Sequence, residues 1–333
     1  MLGIDVSKAT LTGTLIIARD QRPQWEMTVP NTAAGIARLV QRTAPTCPWV
    51  VEPTGIYSRA VVAQATAAGR SVLMAQPKRA KAYLASIQPR AKTDRLDSRG
   101  LALYGLAATL RPYPIKSEAM ERIDQLLAAR KGISRSLASL RQQRTVLPYA
   151  AASLTAAITA LVHEQDDLDR RIAAATAAER AVRDVVRRLD GIPGIGPVTA
   201  SAVASCLTTK VFAHPDQFVA YVGLDVRVKE SGQRRGQRTL SKHGDAELRR
   251  LLYLCALANV RARDTTNPFK QQYTQEVAKG LPTTAALCAV ARKLARTCWS
   301  LVRHGSVYEA TRVHQPPPTR ETTTRTVETP HTP

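Results

Sequence analysis

The chain has 333 residues, 44% of them hydrophobic, which is enough apolar material for about two domains with real cores. Lys and Arg number 48 against 26 Asp and Glu, a formal charge of +22, so the expected partner is a polyanion, nucleic acid before an anionic membrane surface. No run approaches the ~18 apolar residues of a membrane span, the opening Met1-Leu2-Gly3-Ile4-Asp5 has no leader pattern, and the five cysteines and six histidines are too scattered for a zinc site. The cysteines therefore read as reduced core thiols of a cytoplasmic protein. With three Phe and three Trp, base stacking on an aromatic platform is not expected to dominate binding.

Residues 2–17 predict a strand pair, Leu2-Gly3-Ile4-Asp5-Val6 and then 11–17, joined by a polar turn at Ser7-Lys8-Ala9. A third strand is expected over 24–29. Asn31 or Thr32 then caps a helix with Ile36, Leu39 and Val40 on one face. Residues 48–52 read as a short buried strand ending at Glu52. Thr54-Gly55 turns into a helix over 59–68, and 71–75 is a further strand ended by Gln76-Pro77. Three strands, a helix, then strand–helix–strand–helix is the order of a ribonuclease-H-like α/β domain.

Asp94 and Asp97 follow, three positions apart. Leu101, Ala102 and Leu106 recur at helical spacing, so both carboxylates share a helix face. Like charges side by side repel unless a cation or a proton sits between them. Among Lys92, Arg95 and Arg99, the pair points to a hard-cation site for Mg²⁺ or Mn²⁺ beside a phosphate-bearing substrate. A solvated face with local salt bridges is the plainer alternative for D-x-x-D alone. Asp5, however, lies in an apolar strand where a charge needs a partner, and Glu52 ends the fourth strand. If those strands are neighbours, four carboxylates face one mouth. They could hold two divalent cations ~3.5–4 Å apart, suited to phosphodiester chemistry.

Gly3-Ile4-Asp5-Val6-Ser7-Lys8, Glu52-Pro53-Thr54-Gly55-Ile56-Tyr57 and Lys92-Thr93-Asp94-Arg95-Leu96-Asp97 together resemble the three acidic motifs of the Piv/MooV-type DEDD transposases. These are insertion-sequence recombinases with a RuvC-like N-terminal domain. The resemblance covers about residues 1–312 and implies that Asp5, Glu52, Asp94 and Asp97 bind the metal. Only four residues precede Asp5, a departure that clips the first strand and suggests a misassigned start codon.

Apolar stripes at Ile123, Leu126, Leu127, Ile133, Leu137 and Leu140, and at Leu154, Ile158, Leu161, Leu168 and Ile172, predict two long antiparallel helices within 117–190, broken at Leu147-Pro148-Tyr149. Arg130, Lys131, Arg135, Arg141 and Arg144 make the first helix basic outside, either a solvated face or a nucleic-acid contact. The family resemblance implies dimerisation through such a segment. Residues 189–198 look like a helix-hairpin-helix turn, in which Gly194 and Gly196 let backbone N–H groups approach a phosphate; a tight interhelical turn is the alternative.

Between 227 and 263 stand ten Lys and Arg against three Asp and Glu. Lys229 to Arg238, with Arg234 and Arg235, reads as a basic loop that would order on a polyanion. The segment from Leu240 to Tyr253 resembles the serine motif of the family's C-terminal domain, and Ser241 takes the place of the catalytic serine. Lys242, Arg249 and Arg250 could clamp a phosphate there, and His243 could shuttle a proton. From the residues alone, Ser241 reads as a helix cap before Asp245; Ser231 is a rival nucleophile. A last helix is expected over 281–301, with Arg292, Lys293 and Arg296 opposite its apolar side.

The expected organisation is a RuvC-like metal domain (1–115), a helical hairpin or coiled coil (116–190), a mostly helical serine transposase domain (191–312) and a disordered tail (313–333). The expected activity is cutting and rejoining of DNA at the ends and target of a mobile element. The resemblance implies that Ser241 acts with the carboxylates of a partner protomer in a dimer or tetramer, forms a transient phosphoserine, and works under a noncoding guide RNA. The rivals are a RuvC-like nuclease or resolvase using water, a nucleotide-dependent kinase of the same superfamily, and a non-catalytic nucleic-acid-binding protein. The kinase lacks the glycine-rich phosphate loops and second domain copy it would need.

Overall fold

The computed structural model describes residues 1–87, 93–231 and 234–313, and the side chains of these except 228–238. Two compact units divide the chain, Met1–Ile115 and Lys116–Pro333.

In the first unit the elements run β1 (Leu2–Val6), β2 (Thr10–Leu15), β3 (Trp25–Pro30), α1 (Ala33–Arg42), β4 (Trp49–Val51), α2 (Arg59–Ala67), β5 (Val72–Met74), α3 (Pro77–Ile87), α4 (Asp94–Ala107) and β6 (Arg111–Pro112). Thr32 caps α1, its hydroxyl accepting from Gly35 N. The strands form one sheet in the order β3-β2-β1-β4-β5-β6. The hairpin β1–β2 is antiparallel, whereas β1 and β4 are parallel with Ile4 opposite Val51. Leu2, Ile4, Leu11, Ile36, Leu39, Trp49, Val51 and Val61 fill the core on one side of this sheet. The sequence gives no strong sign of α3 or of the two-residue β6. Pro77, read there as a stop, instead opens α3, where its missing N–H costs nothing.

How α4 meets the sheet decides where its carboxylates go. A Cβ at Gly3 would lie 2.1 Å from Ser98 O and 2.3 Å from Ala102 N, so the backbone of α4 rests directly on β1. A Cβ at Gly105 would lie 2.5 Å from Val50 Cγ2 and 3.0 Å from Met1 Cγ. Thus α4 runs against the direction of β1, with its first turn over the Val6 end. The buried Thr14 and Ser98 hydroxyls bond at 2.7 Å and lock this register.

In the second unit, α5 (Glu118–Val146) and α6 (Ala151–Ala178) form an antiparallel hairpin around a single turn at Pro148–Ala150. Leu126, Leu168 and Ile172 bury between them, and Arg130 pairs with Asp169 at 2.6 Å. The returning helix ends sooner than expected. Glu179 is extended (φ −90°, ψ 107°), and a separate α7 (Arg180–Leu189) follows. Then come α8 (Pro197–Thr209), α9 (Pro215–Val222), β7 (Val226–Ser231), β8 (Arg234–Leu240), α10 (Ala246–Arg261), α11 (Pro268–Ala278) and α12 (Thr283–His304). Phe218, Val222, Leu252, Val290, Leu294 and Cys298 centre their core.

The basic segment expected as a loop is a β-hairpin in its backbone. Val226 pairs with Leu240 and Arg227 with Thr239, with an irregularity between Lys229 and Ser231. A hairpin satisfies backbone groups without any core, so a charged sequence can adopt it. All five cysteines are free. Among the described residues no helix is long and apolar enough to cross a membrane. The tail beyond 313 lies outside the described residues.

Gly3→Ala should force α4 off β1, because the clashing atoms are backbone and cannot rotate away. The expected cost is about 3 kcal/mol or more, at the upper end of overpacking penalties. It should appear as amide hydrogen exchange in β1 and β4 accelerated by at least about tenfold; unchanged exchange would contradict the packing described.

Candidate functional site

Asp5 sits on β1 two residues beyond Gly3, on the same face of the strand, so it lies under the first turn of α4. Glu52 directly follows β4 and, by the Ile4–Val51 register, stands beside Asp5 on the neighbouring strand. Thr93 caps α4 by accepting from Leu96 N, which places Asp94 and Asp97 in its first turn. Asp5 is half-buried, and its carboxyl is pushed up to about 6. Burial is the largest cause, followed by the charges of Asp94, Asp97 and Glu52, with a hydrogen bond from the Val6 backbone opposing. All four acidic residues read from the sequence therefore share one electrostatic neighbourhood.

The donor set is oxygen-only, which suits a hard divalent cation. Among the described residues, however, no group of three or more His, Cys, Asp or Glu stands close enough to hold a metal ion as the side chains lie. The fit to such an ion is one of charge and donor chemistry; the coordination shell is not closed. Asn31, which sequence reasoning placed only as a cap, bridges the two acidic loops. Its Nδ2 donates to Ser7 O at 2.9 Å and to Tyr57 O at 3.1 Å.

The cationic residues fare unevenly. Arg95 is exposed on α4, and Arg99 is partly buried there with an Nε that has no hydrogen-bond partner. Lys92 lies outside the described residues, as do the side chains of Arg234, Arg235 and Arg238. Gly194 has φ +76°, and a Cβ there would lie 2.3 Å from Asn259 Nδ2. Packing against α10 therefore already accounts for this glycine. Gly196 is the open N-cap of α8, where a Cβ would meet nothing within 4 Å.

Ser241 is 9% exposed and lies in the loop between β8 and α10. It does not cap the helix; Asp245 does, accepting from Glu247 N and Leu248 N. The Ser241 hydroxyl instead donates to the Asp225 carboxylate and accepts from His243 N at 3.3 Å. Ser241 N donates to Asp225 O at 2.9 Å. Cations gather on the same short segment: Arg249 Nη1 donates to Val222 O at 2.8 Å, and Arg292 Nε to Leu224 O at 3.1 Å. The charges of Arg292, Lys242 and Arg249 all bear on the Cys288 thiol, although burial keeps its pKa raised. Arg250 is tied to Glu247 at 2.5 Å along its own helix, and Lys242 is exposed. Asp225 and the placement of Arg292 escaped sequence reasoning. The signal was the hairpin: with Val226 opposite Leu240, the residues flanking its base, Asp225 and Ser241, must meet.

Two family models match this chain. The DEDD transposase model of IS110 elements matches residues 2–148, and the Transposase IS116/IS110/IS902 family model matches residues 186–274. The first covers the acidic motifs and the second the Ser241 region. Together they support placing the chain in the IS110-type DEDD transposase family.

The chain is 32% identical over 191 residues to a probable family 20 transposase of Pseudomonas aeruginosa, covering 55% of this chain and 56% of that one. It is 27% identical to the transposase for insertion sequence element IS1328 of Yersinia enterocolitica, over 53% of each. These two relatives are thus matched over little more than half their length. The pilin gene-inverting protein of Moraxella bovis is 24% identical over 94% of this chain and 98% of its own.

The raised Asp5 pKa fixes a sign for stability. A folded carboxyl at about 6 against an ordinary 3.8 binds its proton more readily when folded. The stabilisation is fully present below the unfolded value and is lost as pH rises through about 6. In metal-free protein, wild type should therefore gain urea resistance relative to Asp5→Asn as pH falls from 7 to 5. Parallel pH profiles for the two proteins would show that Asp5 carries no such strain.

Proposed function

We propose that the chain is the transposase of an insertion sequence, cutting and rejoining DNA through a divalent-metal centre and a serine nucleophile. The observation that carries this reading is the charge crowding at Asp5, where carboxylates from three separated segments act on one half-buried acid. A single acidic helix face would not produce it. The strand order β3-β2-β1-β4-β5, with α4 laid over β1, supports a ribonuclease-H or RuvC-like character for residues 1–115. The transposase and gene-inverting relatives support DNA as the substrate, as does the net charge of +22.

In this reading Asp5, Glu52, Asp94 and Asp97 would hold Mg²⁺ or Mn²⁺, which when bound neutralises phosphate charge and polarises an oxygen nucleophile. Ser241 attacks the scissile phosphorus and carries the strand as a phosphoserine, conserving the phosphodiester energy without ATP. Arg249 and Arg292, half-buried and anchored through single hydrogen bonds to backbone carbonyls, can turn remaining N–H donors to a phosphate. Lys242 adds a more mobile charge.

The reading extends to a noncoding guide RNA and to a dimer or tetramer joined through the hairpin of residues 116–190. Self-association is supported by the apolar tip of that hairpin, where Val146, Leu147 and Tyr149 are exposed.

The test is a supercoiled plasmid carrying the gene with its native flanks, incubated with the full-length protein and quenched in denaturant. Wild type should yield a divalent-metal-dependent protein–DNA adduct that maps to Ser241. Asp94→Asn should cut at least about 10²-fold more slowly, as expected for loss of a cation ligand. Ser241→Ala should yield no adduct. Full cutting by Ser241→Ala would instead make the protein a metal-dependent nuclease that uses water.

A further inference from the structure

We propose that Asp225 is the proton acceptor of Ser241, a catalytic carboxylate beside the nucleophile and in the same unit of the chain. The inference rests on the reading of Ser241 as nucleophile and deepens it.

Three observations converge on this carboxylate. First, the Ser241 hydroxyl donates to it directly, so the proton that must leave already points at a base. Second, the serine is held from both sides. Its N–H donates to Asp225 O at 2.9 Å, and its Oγ accepts from His243 N at 3.3 Å. Third, the next residue, Lys242, has φ 52° and is the single non-glycine residue with positive φ among the described residues. Backbone strain of this kind costs on the order of 1–3 kcal/mol and persists where the surroundings over-determine it. Here the surroundings are Gly223 and Gly244. A Cβ at Gly244 would lie 2.1 Å from Tyr221 O, and one at Gly223 would lie 3.1 Å from Lys242 C. The turn is thus pressed against the end of α9, with Ser241 presented to Asp225.

The step balances within these groups. The Oγ–H bond breaks as Oγ bonds to phosphorus, and the proton passes to the Asp225 carboxylate. The phosphorus–oxygen bond to the leaving strand breaks, and that oxygen takes a proton from solvent water. Rejoining runs in reverse: the incoming strand's hydroxyl attacks the phosphoserine and Asp225 returns the proton to Oγ. Arg292, hydrogen-bonded to the neighbouring Leu224 carbonyl, counts Asp225 among the charges acting on it, so a cation stands close to the base. The geometry supplies an acceptor within unit two for a proton that a metal-bound base would otherwise have to take.

The test uses a fluorophosphonate on the full-length chain, which needs neither DNA nor metal. Ser241 Oγ displaces fluoride from phosphorus, and the labelled peptide is quantified by mass spectrometry. Asp225→Asn still accepts the serine hydrogen bond but is a far weaker base, so labelling at Ser241 should slow by about 10²-fold or more. Asp225→Glu, which keeps a carboxylate, should recover part of that loss. Equal labelling of wild type and Asp225→Asn would overturn the role of Asp225 and leave the nucleophile reading intact. Absence of label at Ser241 in wild type, with label elsewhere, would overturn both. Slow labelling of Asp225→Asn with no recovery in Asp225→Glu would assign Asp225 a shaping role only and also overturn the proposal.

Discussion

Four carboxylates around the Val6 end of β1 repel one another, and that repulsion sets what the first unit can do. The sheet brings Glu52 beside Asp5 because β1 and β4 run parallel in register. The helix brings Asp94 and Asp97 because a glycine at position 3 lets backbone touch backbone. Neither contact serves the carboxylates; both are ordinary packing, with Thr14 and Ser98 fixing the register. The carboxylates ride on that packing, and a cation or a proton is what relieves them. Core geometry and charge placement are therefore one design, and the chain cannot alter the first without moving the second.

The second unit uses a different device. A β-hairpin rich in charge has no core of its own, but its base is set by backbone pairing between Val226 and Leu240. That pairing juxtaposes Asp225 and Ser241. Helices α10 and α12 then contribute Arg249 and Arg292, whose hydrogen bonds to Val222 and Leu224 carbonyls bind them to the same segment. Basic residues far apart in sequence are gathered around one hydroxyl because four consecutive residues, 222–225, offer acceptors to all of them.

Much of this was legible beforehand. The alternation of apolar residues gave the first strands to within a residue or two, and the acidic motifs were spaced for convergence. The two long helical stripes gave the hairpin of α5 and α6, although the chain break at Glu179 carries no proline or glycine to announce it. The features missed share one cause. Pro77 was taken as a terminator when it starts a helix, and the segment from 229 was taken as a loop because it lacks apolar residues. Strand pairing needs backbone groups and a turn, not hydrophobicity, and composition cannot see it. With the hairpin unseen, Asp225 had no reason to be noticed, and Ser241 seemed a helix cap when Asp245 already fills that role.

The claim that matters most is that acidic side chains from three separated segments share a cation. Mn²⁺ binding to the full-length protein, followed by the loss of its free-ion electron paramagnetic resonance signal, tests it without DNA. The account predicts saturable binding that weakens by about tenfold or more in Asp5→Asn and in Asp97→Asn alike, since each removes a charge from one shared site. Binding that is undiminished in both variants would place the ion elsewhere and contradict the account.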